Sequence, residues 1–311
     1  MHVWEAHIIR VGLVTCAEIA DLDPDDRLIV GPLAARGVHA EPVVWDAHDA
    51  DWSAYDLVVL RSTWDYPQRR QEFVAWARGV GALANSSDVV EWNTDKRYLA
   101  ELAAAGLPVV PTTWLAPGES WTPPATGEYV IKPSVGAGSL DTERYRFDEI
   151  GQRRRASAHL ARLHAADRDV MIQPYLSAVD STGETALLFL GGRYSHAVRK
   201  GPMLTEEDSG AYTLYRPEEI TLREPTIPER AVGEQALAAV PGGKERLLYA
   251  RVDLIPGPDG APLLLEVELT EPSLFLAQAA GAPERFADAI VASLRAADIS
   301  SPRPPTPRKP Q

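Results

Sequence analysis

Short apolar runs alternate with helix-like stretches through the first third of the chain, and that alternation leaves few folds open. Residues 8–15 are an apolar run. An acidic stretch at 21–26 follows, then a helix-like pattern at 28–36 that stops at Gly37. Further strand-like runs at 41–45 and 57–60 alternate with helical stretches that include 71–80. This order predicts a parallel sheet covered by helices, because parallel neighbours need a crossover and a helix supplies it. The first loop lacks GxGxxG, and GxxxxGK[ST] occurs nowhere, so both familiar nucleotide-binding fingerprints are missing. With 311 residues the chain exceeds what one core usually organises, so two or three subdomains are expected.

Beyond Thr94 the pattern changes. The segment DKRYLAELAAAG predicts a helix that closes at Gly106, with Pro108 just past it. A Pro- and Gly-rich stretch at 116–127 leads into the strand YVIKP, the glycine loop SVGAGSLDT, a helix over 153–166 and the strand VMIQPYL, a small α+β unit. Strands at 185–190, 193–199, 249–255 and 263–269 are expected to pair antiparallel, with a helix over 285–296 behind them. The expected division is an N-terminal α/β domain at 1–92, a central unit with the glycine loop at 93–170, and a C-terminal unit at 171–299. The tail at 300–311, proline-rich and basic, is expected to be disordered.

A formal charge of -13 opposes a polyanionic backbone, which argues against a nucleic-acid partner. No stretch approaches the roughly 20 apolar residues that span a bilayer. The opening residues MHVWEAHIIRVGLVTC carry Glu5 and no small-residue cleavage site, so a cytoplasmic protein is expected. The lone Cys16 has no partner for an internal disulfide and reads as a core residue. A small anion can still bind an acidic chain where a few cations converge and a divalent metal offsets the remaining charge.

Candidates for that convergence lie in two strands near the C-terminus. In LLLEVEL the spacing of two puts Glu266 and Glu268 on one strand face, and in RVDLI it does the same for Arg251 and Asp253. Asp253, Glu266 and Glu268 are hard oxygen donors suited to magnesium, with Arg251 beside them for an anionic substrate oxygen. A half-exposed sheet with one solvated face would give the same pattern. Lys132 ends the strand YVIK before Gly136 and Gly138, so it can set a point charge on phosphate oxygens while the loop amides approach them. A surface lysine before an ordinary turn looks identical. Lys96 and Lys200 are unremarkable singly. His159 and His164, five apart, fit one helical face poorly, and His196 reads as structural.

Taken in order, these segments resemble the ATP-grasp superfamily across residues 8–296. The resemblance implies that a helix-borne Lys96 and the strand residue Lys132 hold ATP phosphates beneath a mobile loop containing Ser134, Gly136, Gly138 and Ser139. It implies that MIQPYL is the adenine hinge, with the backbone of Ile172 and Tyr175 near the base, Gln173 facing the exocyclic amine where glutamate is commoner, and Asp180 on the ribose. Asp253, Glu266 and Glu268 map onto the metal ligands for two magnesium ions, with manganese as a substitute. Glu268 stands where asparagine is commoner and adds a negative charge. RSTWDY, WNTDKRYL, GETALLFLGGRYSHAVRK and LLLEVELTEPSLFL resemble the branch that includes cycloserine synthetase, the cyclo-ligase acting on O-ureido-D-serine, and more distantly glutathione synthetase and D-Ala-D-Ala ligase.

RSTWDY follows the third strand, where carboxyl ends of parallel strands face a ligand crevice, so Arg61, Trp64 and Asp65 are implied substrate contacts. A helix start capped by Ser62 or Thr63 would account for the same residues. The implied chemistry is attack of a small amino-acid-derived carboxylate on ATP to give an acyl phosphate. Arg251 and Lys200 would steady the charge that develops, and a nitrogen nucleophile would then attack. A nucleophile in the same molecule gives ring closure; a separate amine gives an amide or dipeptide, in either case the chemistry of antibiotic biosynthesis. An ATP-binding protein without turnover, or one that phosphorylates without ligation, would share the ATP residues. A homo-oligomer is compatible with all of these.

Overall fold

The computed structural model describes residues 8–202, 204 and 219–300. The expectations about the first seven residues and about a disordered tail beyond Ser300 fall outside them.

The predicted parallel sheet forms from β1 (Ile9–Thr15), β2 (Val38–Val44), β3 (Leu57–Ser62) and β4 (Leu83–Ala84), in the order β2-β1-β3-β4. Val11, Leu13, Val58, Val59 and Leu60 are fully buried, as both faces of such a sheet must be covered. The helix predicted over 28–36 is shorter. Gly31 and Pro32 weaken it, leaving a 3₁₀ turn at Asp26–Ile29 and one α-helical turn and a half at Val30–Ala34.

A second sheet, order β5-β8-β6-β7, is antiparallel and built from β5 (Thr113–Leu115), β6 (Glu128–Pro133), β7 (Glu143–Arg146) and β8 (Val170–Pro174). The helix Gln152–Ala165 covers one face through Ala156, Leu160 and Leu163. The third sheet is antiparallel as expected, order β11-β10-β9-β12-β13, from β9 (Glu184–Leu190), β10 (Arg193–Lys200), β11 (Ile220–Leu222), β12 (Tyr249–Pro256) and β13 (Pro262–Glu268).

The last helix, Ala282–Ser300, joins the first sheet to the third. Its Phe286, Ile290 and Leu294 share one core with Val11, Leu13 and Val59 on one side and Leu188, Val198 and Tyr249 on the other. Burying each such side chain contributes roughly 1.5–3 kcal/mol, so the C-terminal helix is a structural wedge between the two sheets.

Lys96 is not on a helix. The Asp95 carboxylate accepts the Arg97 N–H at 3.0 Å and starts a turn, so the predicted helix begins only at Tyr98 and a separate one, Ser87–Asn93, precedes it. Lys96 stands in the turn between them. Its N–H donates to the Ser134 carbonyl at 2.9 Å, which ties it to the start of the glycine loop.

Candidate active site

The second and third sheets face each other across an open cleft lined from both of them. Strand registry places the side chains. On the second sheet Val130 pairs with Gln173 and Lys132 with Met171, so Val130, Lys132 and Gln173 share the face that lines the cleft. On the third sheet Arg251 lies opposite Glu268 and Asp253 opposite Glu266, while Lys200 lies opposite Glu184. The spacing of two in RVD and EVE thus becomes a charged face running across adjacent strands.

Nearly every charge on that face has a partner. Lys200 Nζ donates to Asp253 at 3.0 Å and pairs with Glu184 at 3.1 Å. The Arg251 guanidinium forks onto Asp253 at 3.0 and 3.1 Å and also onto Glu268. Lys96 Nζ pairs with Glu266 at 2.9 Å and donates to the Gly136 carbonyl at 2.6 Å, so one ammonium links the glycine loop to the acidic strand. Lys132 lines the cleft without a hydrogen bond or ion pair among the described residues.

Electrostatics follow from this arrangement. Burial opposes ionisation of Asp253, but Arg251 and Lys200 outweigh it and hold its carboxyl below the usual range. Burial likewise opposes Glu266, and Lys96 with Lys132 outweighs it. Burial pushes Glu268 up to about 7, with Glu266 and Asp253 adding to the shift against the pull of Arg251. Burial pushes Glu271 to about 8, and Glu268 adds to it. Lys132 is lowered by burial despite the attraction of Glu266. Five carboxylates line the cleft against four cations, Lys96, Lys132, Lys200 and Arg251.

Among the described residues no three His, Cys, Asp or Glu side chains are grouped to hold a metal ion as they stand. Asp253, Glu266 and Glu268 are each turned onto a basic side chain instead. They nonetheless line one cleft as hard oxygen donors. With five carboxylates against four cations, the lining has a surplus of acids that a divalent cation would relieve, so the donor set fits one.

The structure separates the remaining candidates. Gly136, Gly138, Ser139, Gln173, Tyr175 and Trp64 line the cleft. Ser134 is buried at the root of the loop, its N–H donating to the Asp169 carbonyl at 2.9 Å. Ile172 lies in the ladder, flanked by Thr113 and Ile131, so its backbone faces neighbouring strands and not the cleft. Leu176, two residues past β8 and outside the ladder, lines the cleft where Ile172 was expected to. Asp180 stays outside the lining, accepting from the Tyr175 hydroxyl at 2.5 Å and from Arg144.

Arg61 and Asp65 are also outside the lining. Arg61 is fully buried, paired to Asp26 at 2.9 Å, and donates to the Pro272 carbonyl at 2.6 Å. Asp65 accepts from the Trp45 indole at 3.0 Å and from Arg69 at 2.9 Å. Both side chains are committed to holding the fold. Arg61→Ala should therefore strand a buried carboxylate and destabilise the protein by about 3–5 kcal/mol, read as a drop in denaturant midpoint at unchanged m-value. His196 is structural as expected, its Nε2–H donating to the Leu274 carbonyl at 3.0 Å. Cys16 is buried and its thiol is pushed up to about 11 by burial, which suits a core residue.

Glu184 and Glu271, which sequence alone did not single out, also line the cleft. Glu271 carries a pH prediction for the protein free of metal and nucleotide. An unfolded glutamate titrates near about 4.3, so the folded chain binds more protons than the unfolded one from there up to about 8. Its contribution to stability is therefore greatest at the acid end of that window and is lost as pH rises. The melting temperature should fall between pH 6 and 8.5, and Glu271→Gln should flatten that slope in calorimetry.

Two antiparallel sheets closing on a charged cleft behind a parallel sheet give this chain the fold of ATP-grasp ligases. The D-alanine–D-alanine ligase from Bacillus anthracis shares the fold at TM-score 0.64 and 17% identity, covering 94% of this chain and 99% of that one. A crystal structure of the D-cycloserine synthetase DcsG matches at TM-score 0.82 and 38% identity over 92% of this chain and 99% of that one. The cycloserine biosynthesis protein DcsG of Streptomyces lavendulae is 38% identical over 300 residues, 92% of this chain and 99% of its own length. Residues 11–86 match the family described as the N-terminal domain of D-cycloserine synthetase DcsG. The chain belongs to the D-cycloserine synthetase DcsG family.

Proposed function

We propose that the protein uses ATP and magnesium to activate the carboxylate of a small amino-acid derivative as an acyl phosphate, and then joins it to a nitrogen within the same molecule. The substrate is O-ureido-D-serine or a close relative: its ureido N–H attacks the acyl phosphate and expels phosphate to close the ring, and water removes the carbamoyl group as carbon dioxide and ammonia to leave cycloserine. The observation that carries this is the cleft itself. Cations beneath the glycine loop and the Arg251, Asp253, Glu266 and Glu268 face line one space, in a chain 38% identical to a cycloserine biosynthesis protein over 92% of its length.

In this scheme residues 93–170 form the phosphate end and residues 171–299 the metal end. Lys132, with no partner of its own, takes phosphate oxygens, and Lys96 follows once it yields Glu266. Asp253, Glu266 and Glu268 would hold magnesium, two ions in all, with manganese able to serve. A metal held by these residues would supply charge neutralisation at the phosphates and polarisation of the transferred group. Gln173 contacts adenine with its amide, while Tyr175 and Leu176 border the base and Asp180 orients Tyr175. Arg251 and Lys200 sit on the same strand face as the acids and steady the developing oxyanion. Catalysis is chiefly positioning and charge neutralisation, as phosphoryl transfer requires.

The test is ADP release with magnesium against a panel of amino-acid carboxylates headed by O-ureido-D-serine, with product masses determined. Substrate-dependent ADP and a cyclised product are expected. A phosphorylated product that never loses phosphate would identify a kinase, and ADP formed only with an added amine would identify an intermolecular ligase.

A further inference from the structure

Five carboxylates line the cleft: Glu184, Asp253, Glu266, Glu268 and Glu271. Four of them are matched to Lys96, Lys200 or Arg251 by the contacts described above. Glu271 is the exception. It is only 9% exposed, and among the described residues its carboxylate makes no hydrogen bond and no ion pair. A desolvated carboxylate without a partner is costly, so its complement is expected from a ligand.

Its position is held firmly. Trp64 Nε1 donates to the Glu271 carbonyl at 3.1 Å, Arg61 to the Pro272 carbonyl at 2.6 Å and Arg251 to the Ser273 carbonyl at 3.2 Å. Three buried or half-buried donors on successive carbonyls fix the segment just past β13, and Trp64, Glu271 and Ser273 line the cleft there beside Arg251. Lys132, the other charged group without an ion pair, has Glu266, Lys96, Glu184 and Lys200 as its charged neighbours; those of Glu271 are Glu268, Lys96, Glu266 and Arg251. One uncommitted cation suits phosphate, and one uncommitted anion beside a guanidinium suits a molecule carrying both signs of charge.

We infer that Glu271 holds the ammonium group of a zwitterionic amino-acid substrate whose carboxylate lies toward Arg251, an assignment that rests on the ligase function proposed above. Glu271 is thereby a specificity determinant: it selects substrates with a free amine over their desamino counterparts. Its raised proton affinity accords with a carboxylate that lacks its counter-charge until substrate arrives.

The experiment compares O-ureido-D-serine with its desamino analogue, 3-(ureidooxy)propanoate, as triggers of ADP release by the full chain. The wild type should favour the amino compound by roughly 100-fold in KM, the scale of one charge-assisted hydrogen bond. Glu271→Gln should reduce that preference to a few-fold by raising KM for the amino compound alone, and Glu271→Asp should restore part of it. Calorimetric binding of magnesium with a non-hydrolysable ATP analogue should be the same in all three proteins. A wild type that does not distinguish the two compounds overturns the inference without any variant. So does a preference that survives Glu271→Gln, or a matching loss of nucleotide affinity, which would make Glu271 a metal ligand. Absence of ADP release from the wild type with either compound and with the wider panel would remove the ligase function and this inference with it.

Discussion

Arg251→Ala is expected to lower kcat by roughly 10²–10³, the usual effect of losing one oxyanion donor. The geometry makes Arg251 more than a charge. Its fork reaches both Asp253 and Glu268 across adjacent strands and also donates to the Ser273 carbonyl. Removal leaves the buried Asp253 to Lys200 alone and the half-buried Glu268 without its guanidinium, so a stability loss of about 3 kcal/mol should accompany the kinetic one. Arg251→Lys separates the two effects. Lysine keeps the charge but cannot span both acids, so it should recover part of the stability and little of kcat. Steady-state kinetics beside a denaturant melt gives both numbers, and a kcat within threefold of the wild type in Arg251→Ala would contradict the role assigned to the guanidinium.

Glu266→Gln should abolish measurable ADP release. Glu266 is held below the usual carboxylate range by Lys96 and Lys132 against the effect of burial, so it is ionised at neutral pH and available to a metal. The amide keeps the shape and loses the charge. Even outer groups around a metal cost 10–100-fold in affinity when changed, so a direct ligand should cost at least about 100-fold. Binding of the ATP analogue should weaken by that factor with magnesium present and change little without it. The comparison matters because Lys96 also loses its ion pair in this variant. Equal weakening with and without magnesium would mean that Glu266 acts only by holding Lys96.

The sequence made legible what is local and periodic. The acids and the arginine of β12 and β13 fell on one face because alternation in a strand depends only on spacing. The parallel sheet was legible from the spacing of its apolar runs. Partners distant in the chain were hidden: nothing near Arg61 shows that Asp26, across 35 positions, claims its guanidinium. The Ile172 assignment failed because β5 is three residues long and carries no readable period, yet it closes the ladder on that side. Lys96 moved off its helix through the Asp95 turn, a local signal overridden in the sequence by the apolar pattern that follows. Glu271 escaped notice because it lies past the strand end, where alternation no longer says which way a side chain points. One legible signal passed unused: Thr226 and Glu229 form a capping box at the start of the helix Ile227–Ala238.

The most direct test of the central claim follows one oxygen atom. O-ureido-D-serine labelled with ¹⁸O in its carboxylate is turned over with ATP and magnesium, and the released phosphate is examined by mass spectrometry. Activation as an acyl phosphate requires one labelled oxygen in each phosphate formed. Unlabelled phosphate accompanying turnover would mean that the carboxylate never attacks ATP, and the roles given to Lys132, Arg251 and the acidic strand face would have to be abandoned.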